Sequence, residues 1–174
     1  MAKVSVLVTG ANGEVGHTLI PTLFATQKYE LVALDLADLD TSLNPFVKKF
    51  YKGTVLDKQL ITSIFDSEKI EVVFHLAAIL STAAEKNPEK ANEVNVGGTS
   101  VLLEAANQKG QKNKKPIKFI FPSTIAVYGL PNLDIKSKTP PLKENEFNSP
   151  ITMYGINKLY CENSGYTTPQ TTSY

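Results

Sequence analysis

Residues 4–8 (VSVLV) form a short apolar run that leads, through Thr9 and Gly10, into a segment with helical spacing. A strand that is apolar on both faces needs cover on both faces, which is the situation of a parallel sheet sandwiched between helices. The pattern recurs along the chain. Val15–Ala25 places Val15, Leu19, Ile20, Leu23 and Phe24 at helical spacing, and Glu30–Leu34 reads as a second strand. Lys49–Gly53 is a weaker third strand, followed by a helical face of Leu60, Ile61, Ile64 and Phe65 within Lys58–Phe65. Val72–Leu76 is a fourth strand, Asn87–Gln108 a long helix, Ile117–Phe121 a fifth strand and Met153–Glu162 a last helix. Strand and helix alternating in this way predict βαβ units, hence an α/β fold with a parallel sheet. Three segments read as irregular: a Lys-rich connection over residues 108–116, a Pro-rich loop over 130–150, and a polar tail over 166–174.

Composition removes several functional classes. Eighteen basic residues face seventeen acidic ones, and every basic residue is Lys. Near-neutral charge without Arg argues against nucleic acid and membrane surfaces as partners. One cysteine, Cys161, excludes an internal disulfide framework, and two histidines far apart in sequence suggest no metal site. No apolar stretch approaches the roughly 20 residues of a membrane span. The start shows no signal-peptide pattern, so the expected location is the cytoplasm.

The chemistry concentrates at strand ends. Gly10-Ala11-Asn12-Gly13-Glu14-Val15-Gly16 joins the first strand to the first helix. Such a turn lets backbone amides approach a pyrophosphate at the positive end of a helix. Asp35 ends the second strand, where a carboxylate accepts hydrogen bonds from ribose hydroxyls and repels a 2′-phosphate, favouring NAD over NADP. Ser123 and Thr124 follow the fifth strand, at the carboxyl end where parallel sheets carry their active groups. Tyr154 and Lys158 are four residues apart on one helix face. A neighbouring ammonium lowers a phenol's pKa, which makes Tyr154 a candidate acid/base.

In this order the motifs resemble the extended short-chain dehydrogenase/reductase family, the group of NAD-dependent epimerases and dehydratases. The resemblance runs from about Val4 to Cys161. It rests on Thr9-Gly10-Ala11-x-Gly13-x-x-Gly16, His75-Leu76-Ala77-Ala78, Val94-Asn95-Val96-x-Gly98-Thr99, the hydroxyls Ser123 and Thr124, and Tyr154-x-x-x-Lys158. It implies a Rossmann-type doubly wound sheet with helices on both faces over residues 1–165, with the C-terminal substrate region largely absent. It implies NAD held by Gly10, Asn12, Gly13, Glu14, Val15, Asp35, Thr54, Val55, Leu76, Ala77, Ala78, Asn95 and Lys158. Thr54 departs from the Asp common at its place. Tyr154 is then the acid/base, Lys158 binds the nicotinamide ribose, Thr124 beside Ser123 holds the reacting oxygen, and Ser81 lines the substrate pocket. His75 is implied to be structural, and Cys161 a helix-packing residue. Residues 77–81, 85–88, 122–129 and 152–155 resemble the L-threonine 3-dehydrogenase branch, while the loop after Gly129 departs from it. The substrate is thus a hydroxy amino acid or a sugar nucleotide. The alternatives are a nucleotide-sugar epimerase or dehydratase, a truncated non-catalytic NAD-binding module, and an interaction protein that uses the fold only as a scaffold. A homodimer through the long helix and the Tyr154 helix is the expected assembly.

Overall fold

A computed structural model describes residues 2–130 and 132–167, and the backbone of residues 172–173. Its strands are β1 (Val4–Thr9), β2 (Tyr29–Asp35), β3 (Lys49–Lys52), β4 (Val72–His75), β5 (Ile117–Ile120) and β6 (Thr172–Ser173). They form one sheet in the order β3-β2-β1-β4-β5-β6, and every pairing is parallel. The chain winds outward from β1 in one direction and then, starting at β4, in the other. The crevice between β1 and β4 is therefore the topological switch point of a doubly wound sheet, the place where such folds bind ligands.

The helices are α1 (Glu14–Ala25), α2 (Lys58–Ser67), α3 (Ser81–Lys86), α4 (Pro88–Asn92), α5 (Gly98–Asn113), α6 (Leu133–Lys138) and α7 (Met153–Thr167). Alternate residues of each central strand feed opposite cores. Val6, Val8, Leu31 and Ala33 meet Ile20 of α1 on one face. Leu7, Val32, Leu34, Val73 and Phe119 meet Ile61, Ile64 and Phe65 of α2 and Leu102 and Leu103 of α5 on the other. The apolar run that opens the sequence is thus covered from both sides, as its composition requires.

Four expectations are corrected. The Lys-rich segment after Gln108 is not a connection from its start: α5 continues to Asn113 and ends at Lys114 in the left-handed region (φ 52°). Gln and Lys are good helix formers, and Lys109 and Lys112 both reach Asp66 of α2, at 3.2 and 3.8 Å. The Pro-rich loop contains α6, capped by the Asn132 side chain on the Ile135 amide. The long helix expected over 87–108 is broken into α4, a π-turn at Glu93–Gly97, and α5. Of the expected polar tail, Tyr166 and Thr167 close α7, and Thr172–Ser173 pair with Ile117–Lys118 of β5. Residues 168–171 and 174 lie outside the described residues.

Candidate active site

The β1–α1 turn is built for close approach. Gly10 has φ +68°, and a Cβ there would lie 2.7 Å from the Ala77 backbone nitrogen. A Cβ on Gly16 would lie 2.2 Å from the Ala11 carbonyl oxygen. Only glycine lets the turn seat against the segment after β4 and lets α1 start beneath it. Gly13 caps α1 without a side-chain hydrogen bond, so the first-turn amides of α1 have no side-chain cap among the described residues. Those amides and the helix dipole are the elements that receive a diphosphate.

Asp35 stands at the rim of this turn. Its carboxylate accepts from the Asn12 amide at 3.0 Å and the Ala37 amide at 3.2 Å, which fixes its orientation. The Asn12 side chain points away. It donates to the Asp38 carbonyl and accepts from the Asp40 amide, stapling the loop after β2 to the turn.

A cleft of about 530 Å³ runs across the switch point. Gly10, Gly13, Glu14, Val15, Asp35, Thr54, Val55, Leu76, Ala77, Ala78, Ser123, Tyr154 and Lys158 all line it, as do Leu36, Ile79, Leu80 and Lys90. Leu36 and Leu80 are exposed apolar residues, and Val55 is buried behind the cleft wall. Four expected site residues stand elsewhere. Asn12 holds the loop after β2. Ser81 starts α3 with an exposed side chain. Thr124 accepts from the Ala126 amide at 3.2 Å as the cap of a 3₁₀ turn, and faces a neighbouring cavity of about 430 Å³. Asn95 is buried in the π-turn, where its side chain accepts from the Ile79 amide at 2.7 Å and donates to the Ile79 carbonyl at 3.0 Å. It shapes the cleft wall from behind. Ser123, the neighbour of Thr124, lines both the cleft and that second cavity.

Gly155 lets α7 settle onto that 3₁₀ turn, since a Cβ there would lie 2.1 Å from the Ala126 carbonyl oxygen. This contact brings Tyr154 and Lys158 beside the end of β5. Lys158 is buried, donates to the Pro122 carbonyl at 2.7 Å, and has its Nζ 4.1 Å from the Phe121 ring centre and 5.7 Å from that of Tyr154. Burial pushes its pKa down to about 8, while Cys161 and Glu162 pull the other way. The lowered phenol expected for Tyr154 is corrected: burial pushes it above its ordinary value. One of the three Lys158 ammonium hydrogens goes to Pro122, and among the described residues the Tyr154 hydroxyl has no hydrogen-bond partner.

His75 is structural. Thr99 donates to the Asn95 carbonyl at 2.6 Å, so its oxygen accepts from His75 Nε2 at 3.0 Å. His75 Nδ1 therefore accepts from the Thr9 hydroxyl at 2.7 Å, and Thr9 accepts from the Ala77 amide at 3.3 Å. This relay ties β1, β4 and the π-turn together. Burial, with a smaller push from Lys158, drops the His75 pKa to about 3. Cys161 is buried, with its thiol pushed up by burial, and its Sγ lies 3.4 Å from the Asn95 carbonyl. That suits packing rather than reactivity.

Two residues of this region were not singled out in the sequence. Asn157, on α7, donates to Asn92 at 3.1 Å and stands 3.4 Å from Asn95, joining α7 to the cleft wall. Glu162 accepts the hydroxyl hydrogen of Ser123. The signal available was spacing: Glu162 follows Lys158 by four residues and shares its face of α7.

Residues 6–167 match the model of the NAD dependent epimerase/dehydratase family. The chain belongs to that family. UDP-glucose 4-epimerase of Lacticaseibacillus casei is 33% identical over 161 residues, covering 91% of this chain and 45% of the relative. dTDP-D-glucose 4,6-dehydratase of Dictyostelium discoideum is 38% identical over 135 residues, covering 71% and 30%. Among solved structures, UDP-glucose 4-epimerase of Thermotoga maritima, with UDP-glucose, superposes with a TM-score of 0.78 at 32% identity, covering 92% of this chain and 50% of that one. A monomeric L-threonine 3-dehydrogenase from a metagenome superposes at 0.77 with 35% identity, covering 93% and 48%. The chain spans less than half the length of these curated relatives. The cofactor of the family is NAD, and the cleft fits it: a glycine cradle, uncapped helix amides and a rim carboxylate occur in the order a dinucleotide needs.

Proposed function

We propose that this epimerase/dehydratase-family chain binds NAD in the switch-point cleft and carries the catalytic groups for oxidising a secondary alcohol. The observation that carries the reading is that Tyr154, Lys158 and Ser123 line the same cleft as the Gly10–Gly16 turn and Asp35. The first-turn amides of α1 receive the diphosphate, and Asp35 receives the adenine-side ribose. Lys158 sits where it can hold the second ribose. When bound, NAD supplies a hydride acceptor. Tyr154 takes the alcohol proton, and Ser123 stands beside it in the cleft wall. Because burial raises the Tyr154 phenol, the phenolate needed for oxidation grows with pH, and the oxidation rate is expected to climb through the alkaline range. Tyr154→Phe is expected to abolish turnover and leave NAD affinity, measured by calorimetry, within about twofold. Equal turnover in the variant would refute the role.

The resemblance of residues 77–81, 85–88, 122–129 and 152–155 to the L-threonine 3-dehydrogenase branch supports a hydroxy amino acid as substrate. The epimerase relatives favour a sugar nucleotide as the second reading. Turnover of L-threonine against UDP-glucose in one assay separates the two. The reading includes a cytoplasmic homodimer through α5 and α7. Ile156 and Tyr160 of α7 are exposed, and sedimentation velocity tests the assembly. Among the described residues no helix is long and apolar enough to cross a membrane.

A further inference from the structure

We infer that Glu162 is a positioning residue that works through Ser123 and Lys158. Two successive residues at the end of β5 are gripped from one face of α7. Lys158 donates to the Pro122 carbonyl at 2.7 Å, and Glu162, one helical turn on, accepts the Ser123 hydroxyl hydrogen. A hydroxyl has one hydrogen and two lone pairs. With its hydrogen committed to Glu162, Ser123 offers only lone pairs to its other neighbours, at the border between the cleft and the neighbouring cavity that Glu162 also lines. The carboxylate also supports the buried ammonium. The groups facing Lys158 are Tyr154, Cys161 and Glu162 from α7 and His75 from β4. Tyr154 and His75 are neutral at pH 7, the Cys161 thiol is raised, and Glu162 is the carboxylate among them. Glu162 thus performs two tasks: it fixes the rotamer and polarity of Ser123, and one turn along the same helix face it helps hold up the Lys158 pKa against burial.

The inference rests on the reading of Ser123 and Lys158 as cleft groups, and its test needs neither NAD nor turnover. Lysine side chains of the full chain are isotope-labelled, the Lys158 signal is assigned with Lys158→Arg, and its titration is followed by NMR without cofactor. Glu162→Gln keeps an acceptor for Ser123 and removes the charge. The Lys158 midpoint is expected to fall by about half a pH unit. Ser123→Ala, which leaves the carboxylate in place, is expected to move it by less than about a third of that. The three-bond couplings of Ser123 are expected to report one side-chain rotamer in the original chain and in Glu162→Gln, and averaging in Glu162→Ala. An unchanged Lys158 midpoint in Glu162→Gln overturns the electrostatic task. A single Ser123 rotamer in a folded Glu162→Ala overturns the positioning task, and if that variant does not fold, Glu162→Leu takes its place. Failure to bind NAD in calorimetry, with both NMR results as expected, counts against the proposed function and leaves this inference standing.

Discussion

At the scale of single residues, burial decides more of this site's chemistry than charge pairing does. His75 shows the consequence most directly. Its folded pKa of about 3 lies below the ordinary 6.5 of an exposed imidazole, so the unfolded chain binds a proton that the folded chain refuses. Stability from this group is complete above pH 6.5 and is lost as pH falls toward 3, at about 1.4 kcal/mol per pH unit. His75→Gln removes the titration. The stability gap between the original chain and the variant, from urea unfolding, is expected to shrink by about that amount per unit between pH 6 and 4.5. A gap independent of pH would show that His75 titrates normally. Lys158 carries the same physics with a different window: its folded value of about 8 against an ordinary 10.5 makes its contribution grow as pH rises between them. The sequence could place Tyr154 and Lys158 on one face, because i,i+4 spacing is geometry. It could not tell that Lys158 gives its hydrogen bond to a carbonyl 36 residues away, since desolvation and long-range partners depend on the packed fold.

Between elements, the joint that matters is α7 against the π-turn. Helical periodicity made the strands and helices legible, and β1, β2 and β4 fall within a residue or two of their expected bounds. The π-turn was not legible. The apolar spacing of Val94, Val101, Leu102 and Ala105 reads as one continuous helix, while the structure has a π-turn at Glu93–Gly97 with Asn95 buried in it. There Asn95 holds both backbone groups of Ile79, and Asn157 on α7 links it to Asn92. The substrate-side wall and the Tyr154 helix are thereby one unit. Asn157→Ala takes a partner from the buried Asn95 amide and from the exposed Asn92, and it is expected to cost about 1–3 kcal/mol in chemical unfolding. The Ile79 amide, which depends on Asn95, is expected to exchange its hydrogen faster in the variant. Unchanged exchange at Ile79 would separate the two halves of this network. The same reasoning explains why Thr124 and Ser123 could not be ranked from sequence. Both follow β5, and only the 3₁₀ turn at Ile125–Val127 turns Thr124 into a cap and leaves Ser123 facing the cleft.

At the scale of the whole molecule, the cleft belongs to the sheet's winding rather than to any one motif. The described residues that line it come from the turn after β1 and the start of α1, from β2, from the segments after β2, β3, β4 and β5, and from α4, the π-turn and α7. A ligand spanning it therefore binds only when five crossovers are in place, which couples binding to folding. NAD is expected to raise the midpoint of thermal unfolding. At a hundredfold excess over its dissociation constant, mass action adds about 2.7 kcal/mol, which for a domain of this size is about 5–10 °C. NADP carries a further phosphate on the ribose that Asp35 is proposed to receive, where the carboxylate repels it. It is expected to give a clearly smaller rise at equal concentration, and Asp35→Asn is expected to narrow the difference by weakening the repulsion. Equal shifts with both dinucleotides would remove Asp35 from the role of selector. No shift with either, in a chain that unfolds cooperatively, would mean that the sheet forms without a working cleft, and the glycine cradle would then be a packing device between β1 and the segment after β4.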